Sequence, residues 1–322
     1  MLTFSSCLAA QILVFINLRR LSGTNYHSQA LLLSYFDHFL AALSYQNAII
    51  TREIIDEYQI RLLTLAPRSR NNRLCVVRQL CEYIAASHPQ SYVPESMINI
   101  SLIATYKPYI YTLNDIQALM NATAKLTPTD SLRPHTGRAL IGLLYATGIR
   151  IGEALALNVE DFYHDDERLF VANGKFHKAR WIPLTTSTCA AINAYIKKRR
   201  QRKHCSLDSP LFINVLNRRL KYSSFSHDFH YLLALTDIPR NKEQHPRIHD
   251  LRHTFATQRL LSWYKEGVDV NALLPALATY MGHVGIASTQ RYLQPTNDLI
   301  DQVNQRFYHH YLAQVKPIGD LS

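Results

Sequence analysis

Between His88 and Pro108 the helical rhythm of the chain breaks off. Prolines stand at 89, 94 and 108, and the apolar residues lose their spacing. Such a stretch reads as an extended linker and a domain boundary. A chain of 322 residues interrupted there has room for two cores. We expect a first domain over residues 1–87, a linker over 88–110 and a second domain over 111–322.

The first domain reads as helical throughout. Ser5 or Ser6 is placed to cap a helix running to Leu18, and Leu31, Leu32, Phe36, Phe39 and Leu43 share one side of a second. Thr51 precedes a third with Ile54, Ile55, Tyr58, Ile60 and Leu63 inside, and residues 69–86 form a fourth on Leu74, Val77, Leu80 and Tyr83. Arg68, Arg70, Arg73 and Arg78 lie near the first turns of that last helix. Four helices with a basic edge suit a small DNA-clamping module. A solvated helix face accounts for the same arginines equally well.

The second domain mixes periods. Thr112-Leu113-Asn114-Asp115 resembles a capping box that opens a helix to Lys125, and Pro134–Thr147 is an apolar helix that Gly148 is placed to end. Arg150 to Leu157 reads as a short helix, with Arg150 at its N-terminus, where backbone N–H groups favour an anion. Leu169-Phe170-Val171 and Arg180 to Leu184 read as strands around the turn signal Asn173-Gly174. Lys175 follows at that turn. Trp181 is expected in the core. Residues 187–203 form a helix ending in Lys197, Lys198, Arg199, Arg200, Arg202 and Lys203, a run that contacts phosphates or is simply solvated. A helix over 223–235 follows, then helical runs from His249 and over 273–281, and a last amphipathic helix over 296–312. The fold class is mainly α with a small β-sheet (α+β).

Composition narrows the partner. Lys and Arg outnumber Asp and Glu by 35 to 24, a formal charge of +11. Such a surplus points to a polyanion, most simply nucleic acid. The five cysteines are dispersed and odd in number, and no CxxC occurs. That argues against a disulfide framework or zinc ribbon and for a reducing compartment. The apolar run Leu8–Ile16 is too short to cross a bilayer and has no basic residues before it. We expect a cytoplasmic protein with no membrane partner.

The segment His249-Asp250-Leu251-Arg252-His253 carries the chemistry. On a helix, residues three and four apart share a face. His249 and Arg252 can thus address one target, with His253 beside them. Guanidinium supplies planar hydrogen bonds and fixed charge to a phosphate, and imidazole exchanges a proton near neutral pH.

Taken in order, Ala146-Thr147-Gly148-Ile149-Arg150-Ile151-Gly152-Glu153, Gly174-Lys175, His249 to His253, Met281-Gly282-His283 and Thr289-Gln290-Arg291-Tyr292 resemble the motifs of the tyrosine recombinases, the phage-integrase family. They span nearly all of the second domain, and the step from His283 to Tyr292 is nine residues. Met281 stands where many members have Leu. The resemblance implies a helical core-binding (SAM-like) N-terminal domain and a recombinase catalytic domain. It implies a site-specific recombinase that cleaves and rejoins DNA through a 3′-phosphotyrosyl bond, for integration, excision or resolution of a mobile element. Tyr292, one of 19 tyrosines, is then the nucleophile. Arg150 and Arg252 grip the non-bridging oxygens, His283 adds a donor, His249 helps take the phenolic proton and Lys175 protonates the leaving oxygen. Glu153 orients Arg150 or another basic group, and His253 supports the site or lies on the surface. Tyr264 and Tyr280 are expected to be packing residues. DNA contacts are expected from Arg68, Arg70, Arg73, Lys197, Lys198, Arg199 and Arg200. The implied partners are double-stranded DNA with paired inverted-repeat core sites, three further copies of the chain in a homotetramer exchanging the 296–312 helix, and an accessory protein at some sites. No metal or other cofactor is implied.

Two other classes compete. His249 and His253 lie four apart, as in a zinc hydrolase, but Arg252 between them repels a cation and the general-base Glu is absent. A non-catalytic helical DNA-binding protein is the main alternative; it would need no complete residue set.

Overall fold

The computed structural model describes residues 2–95, 108–172, 179–202, 205–240 and 245–282. The chain divides into two units, Met1–Tyr106 and Lys107–Ser322.

Among the described residues, four α-helices build the first unit: α1 (Ala9–Leu21), α2 (His27–Ala42), α3 (Arg52–Arg61) and α4 (Pro67–Ser87). Their apolar faces meet around Ile12, Phe15, Leu33, Phe36, Leu40, Ile55, Tyr58, Val77 and Leu80, all buried. Burying each large side chain contributes about 1.5–3 kcal/mol before ordering costs. The N-terminal segment is tied down by the buried Asp37, whose carboxylate accepts from the Ser5 and Ser6 N–H groups at 2.8 and 3.1 Å and from the Ser6 hydroxyl at 2.5 Å. Residues 88–95, expected to open the linker, instead pack on this unit. Tyr92 N–H donates to the Ile50 carbonyl at 2.7 Å, the Ile50 N–H donates to Ser91 Oγ at 2.9 Å, and Tyr92 and Val93 touch the core. The remainder of the expected linker, 96–107, lies outside the described residues.

The second unit opens on α5 (Leu113–Ala122). The capping box is formed: Thr112 Oγ1 accepts from Asp115 N–H at 3.1 Å, and Asp115 returns the contact at 2.8 Å. Then come α6 (Arg133–Thr147), α7 (Ile151–Ala156), a three-stranded antiparallel sheet, α8 (Thr186–Arg200), α9 (Tyr222–Ala234), α10 (Ile248–Glu266) and α11 (Val270–Met281). The sheet runs β1 (Phe162–Tyr163), β2 (Arg168–Val171) and β3 (Arg180–Pro183), with Leu169 opposite Ile182 and Phe170 opposite Trp181. A core of Leu119, Leu140, Ile141, Leu144, Ile182, Phe212, Phe229 and Leu251 joins helices and sheet. A smaller cluster of Phe255, Leu260, Leu274, Leu277 and Met281 holds α10 to α11. The architecture is mainly helical with one small sheet, as expected.

Trp181 is not in the core. Successive strand residues face opposite sides, and Ile182 takes the buried side, so Trp181 is thrown outward, 44% exposed. It lies against Tyr163 and Phe170, with the Arg168 guanidinium 4.4 Å from its ring centre.

Candidate active site

Arg150 and Arg252 converge on the turn that ends α11. Gly148 ends α6 in the left-handed region, φ +61°, and a side chain there would collide with the Phe255 ring. Glycine alone lets the chain turn so sharply beneath α10. Two residues on, Arg150 occupies the N-cap of α7. Its Nη1 donates to Glu153 Oε1 and its Nη2 to the Gly282 carbonyl, both at 2.9 Å. Arg252 is buried on α10 and spans the same region: Nη1 donates to the Gly148 carbonyl at 2.7 Å and Nη2 to the Met281 carbonyl at 2.6 Å. Both guanidiniums are fixed in place by backbone, the preorganisation that a phosphate-binding centre needs.

His249 lies on the first turn of α10, one turn from Arg252. Its ring packs edge-on against His253, centroids 5.2 Å apart. Loss of water on its protein side, then the charges of Arg252, Arg247 and Arg150, push its pKa down to about 4. The imidazole is therefore neutral at pH 7 and able to accept a proton. The buried Asp250 anchors the helix start by accepting from the Arg247 N–H at 2.9 Å.

Glu153 serves two arginines. Besides Arg150, Arg180 from β3 donates Nη1 to Oε1 at 3.1 Å and Nη2 to Oε2 at 2.8 Å. Burial tends to raise the Glu153 pKa, but hydrogen bonds from Arg180 and Arg150 outweigh it and the net shift is downward. Glu153 is ionised and accepts from both arginines. Arg180 is the residue that sequence reasoning passed over, and the signal for it was present: period two puts it on the same face as the buried Ile182.

Other expected residues fall elsewhere. Arg199 is a correction: it is 1% exposed, and its guanidinium donates to the carbonyls of Pro210 and Leu211 and to Ser209 Oγ at 2.9 Å. It lies three, four and seven residues from the buried Ile196, Tyr195 and Ile192 and so shares the core face of α8. It braces the loop around 209–211 and offers nothing to DNA. Lys197 and Arg200 are exposed and Lys198 half-buried. In the first unit Arg68 is exposed and Arg70 half-buried, while Arg73 stacks over the Tyr35 ring at 4.2 Å. Tyr280 stacks on Phe255, centroids 5.5 Å apart, and burial pushes its pKa up to about 12. Tyr264 packs beside the cluster between α10 and α11. Both are packing residues. Lys175, His283, Tyr292, the Asn173-Gly174 turn and the 296–312 helix lie outside the described residues.

Known proteins resemble this chain in sequence and fold. The model of the phage integrase family matches residues 110–298. A putative integrase/recombinase of Sinorhizobium fredii, y4rB, is 36% identical over 80% of this chain and 83% of its own length. A second from the same organism, y4rE, is 29% identical over 96% and 98% of the two chains. Among solved structures, a fragment of the integrase of transposon Tn1549, determined in complex with a circular intermediate DNA, superposes with a TM-score of 0.66 over 94% of this chain and all of the fragment, at 18% identity. The family match takes in every motif from the Gly148 turn to Tyr292, and this chain belongs to the phage integrase family as a tyrosine-type site-specific recombinase.

Proposed function

We propose that this recombinase cuts and rejoins duplex DNA by carrying each strand on Tyr292 as a 3′-phosphotyrosyl ester. The observation that carries the reading is the convergence of Arg150 and Arg252 on the end of α11, with His249 under the charge of both, where Gly282 stands one residue before His283 and ten before Tyr292. Tyr292 Oη attacks the scissile phosphorus and the bond to the 5′-oxygen breaks. His249, neutral at pH 7, accepts the phenolic proton, and Lys175 gives a proton to the departing 5′-oxygen. Arg150, Arg252 and His283 hold the non-bridging oxygens as charge builds on them. A free phenol, with a pKa near 10, is a poor nucleophile until cations surround it. The 5′-hydroxyl of a second strand then attacks the ester and restores tyrosine, so no metal or energy-rich cofactor is needed.

The substrate on this reading is double-stranded DNA with paired inverted-repeat core sites, to which the first unit adds affinity. Four copies assemble on two sites, passing the 296–312 helix between neighbours, with an accessory protein at some sites. The relatives named as integrases and the transposon integrase with this fold support integration, excision or resolution of a mobile element, a reaction that on this reading takes place in the cytoplasm. Among the described residues no helix is long and apolar enough to cross a membrane.

The test is a recombination assay in EDTA on plasmids carrying DNA from the two flanks of the coding sequence. Recombinant joints formed by the wild type, and lost when Arg150→Ala and Arg252→Ala are combined, support the reading. Cut DNA without joints, made only when EDTA is left out, would move it to metal-dependent hydrolysis. Tight binding without joints would leave a DNA-binding protein without strand transfer.

A further inference from the structure

Three arginines from three elements cap the end of α11. Arg180 on β3 donates Nε to the Tyr280 carbonyl at 2.7 Å, Arg252 on α10 reaches the Met281 carbonyl at 2.6 Å, and Arg150 reaches the Gly282 carbonyl at 2.9 Å. The last carbonyls of a helix have no partner within it and carry the negative end of its dipole. Three consecutive ones are taken by guanidiniums. The fit is close: a Cβ on Gly282, φ +65°, would lie 2.9 Å from Arg180 Nη1 and 3.3 Å from Arg150 Nη1.

Arg150 and Arg252 have tasks in the chemistry above. Arg180 has none, yet its side chain is the more buried, 9% exposed against 22% for Arg150. All three of its nitrogens are used, two on Glu153 and one on Tyr280. We propose that Arg180 is a positioning residue for strand cleavage: it ties Glu153, and through it Arg150, to the last turn of α11. The phosphate-holding guanidinium and the end of α11 thereby keep a fixed spacing. A second effect follows from the shared oxygen. Glu153 Oε1 accepts from Arg150 at 2.9 Å and from Arg180 at 3.1 Å. With Arg180 present, the carboxylate charge is divided between two cations. Without it, Glu153 draws Arg150 wholly onto itself and neutralises the charge meant for the phosphate.

This rests on the reading of Arg150 as a phosphate-holding residue, so Arg150→Ala is run alongside. The experiment measures DNA affinity by gel shift and single-turnover cleavage on a nicked suicide site for wild type, Arg180→Met, Arg180→Lys, Glu153→Gln and the Arg180→Met/Glu153→Gln pair. We expect Arg180→Met to lower cleavage about 100-fold, the scale of a small misplacement of catalytic groups, with affinity changed less than about threefold. Arg180→Lys, which keeps charge and a single prong, should recover part of the loss. It also decides the matter if the Met variant does not fold. The pair should be no worse than Arg180→Met alone, because the two residues act as one unit. Cleavage at the wild-type rate in both Arg180 variants, with Arg150→Ala inactive, would overturn this proposal alone. Normal cleavage by Arg150→Ala would overturn the reading beneath it. Equal losses of affinity and cleavage in Arg180→Lys would make Arg180 a structural brace and also overturn the proposal.

Discussion

Arg180 grips both carboxylate oxygens of Glu153, at 3.1 and 2.8 Å, with the two side chains only 9% and 4% exposed. A buried ion pair of this kind gives little net stability against an apolar replacement, but losing one partner strands the other charge. The relationship joins β3 to α7 and sets the orientation of the Arg150 side chain.

Glu153→Ala should therefore destabilise the second unit by about 3–5 kcal/mol, the range for breaking a buried pair. Urea unfolding of the full chain checks this. The carboxyl is held below its ordinary pKa, so its stabilisation is present above about pH 4.5 and lost as pH falls through the lower folded value. A smaller gap between wild type and Glu153→Ala at pH 3 than at pH 7 is the expected sign.

Much of this fold was legible because periodicity and caps acted locally. The Thr112–Asp115 box, the Gly148 stop and the helical first unit all follow from neighbours within a turn. What escaped was long-range. Arg180 and Glu153 are 27 residues apart, and no local rule pairs them. Trp181 and Arg199 were misjudged by residue type: the first as an aromatic that belongs inside, the second as part of a basic run. Position on the strand or helix decided both. Ile182 took the inner side of β3, and Tyr195 and Ile196 carried Arg199 into the core.

Gly148→Ala should cost more than the roughly 1–2 kcal/mol of a left-handed backbone alone, because its new methyl group also strikes Phe255. The carbonyl of residue 148 anchors Arg252 Nη1 at 2.7 Å. Cleavage should fall further than stability predicts at temperatures where the variant is still folded. Thermal melts paired with suicide-site cleavage separate the two effects, and unaltered cleavage would detach the turn from the site.

His249 should titrate near pH 4 in the free protein. Its pKa is depressed, so the neutral form is favoured on folding. That contribution is present above about pH 6.5, the unfolded value, and is lost as pH falls through 4. Binding a phosphate beside Arg252 and Arg150 offsets their charge and should raise the midpoint. Imidazole NMR signals followed against pH, with and without a DNA site, test this. A free-protein midpoint above 6.5 would mean that neither burial nor the three arginines govern the ring.

Lys175→Ala should cleave poorly on ordinary DNA and recover on a substrate whose leaving 5′-oxygen is replaced by sulfur. A thiolate departs without a proton, so the general acid is no longer needed. Absence of recovery would take Lys175 out of that role.

The central claim is covalent catalysis by one tyrosine among 19. Tyr280, stacked on Phe255 with its pKa pushed up to about 12, is the internal control. The direct measurement is mass spectrometry of the denatured protein–DNA adduct trapped on a nicked suicide site, for wild type, Tyr280→Phe and Tyr292→Phe. The account predicts a nucleotide on the peptide carrying Tyr292 in the first two and no adduct in the third, which still binds the site. An adduct formed by Tyr292→Phe, or one mapped to any other residue, would contradict it.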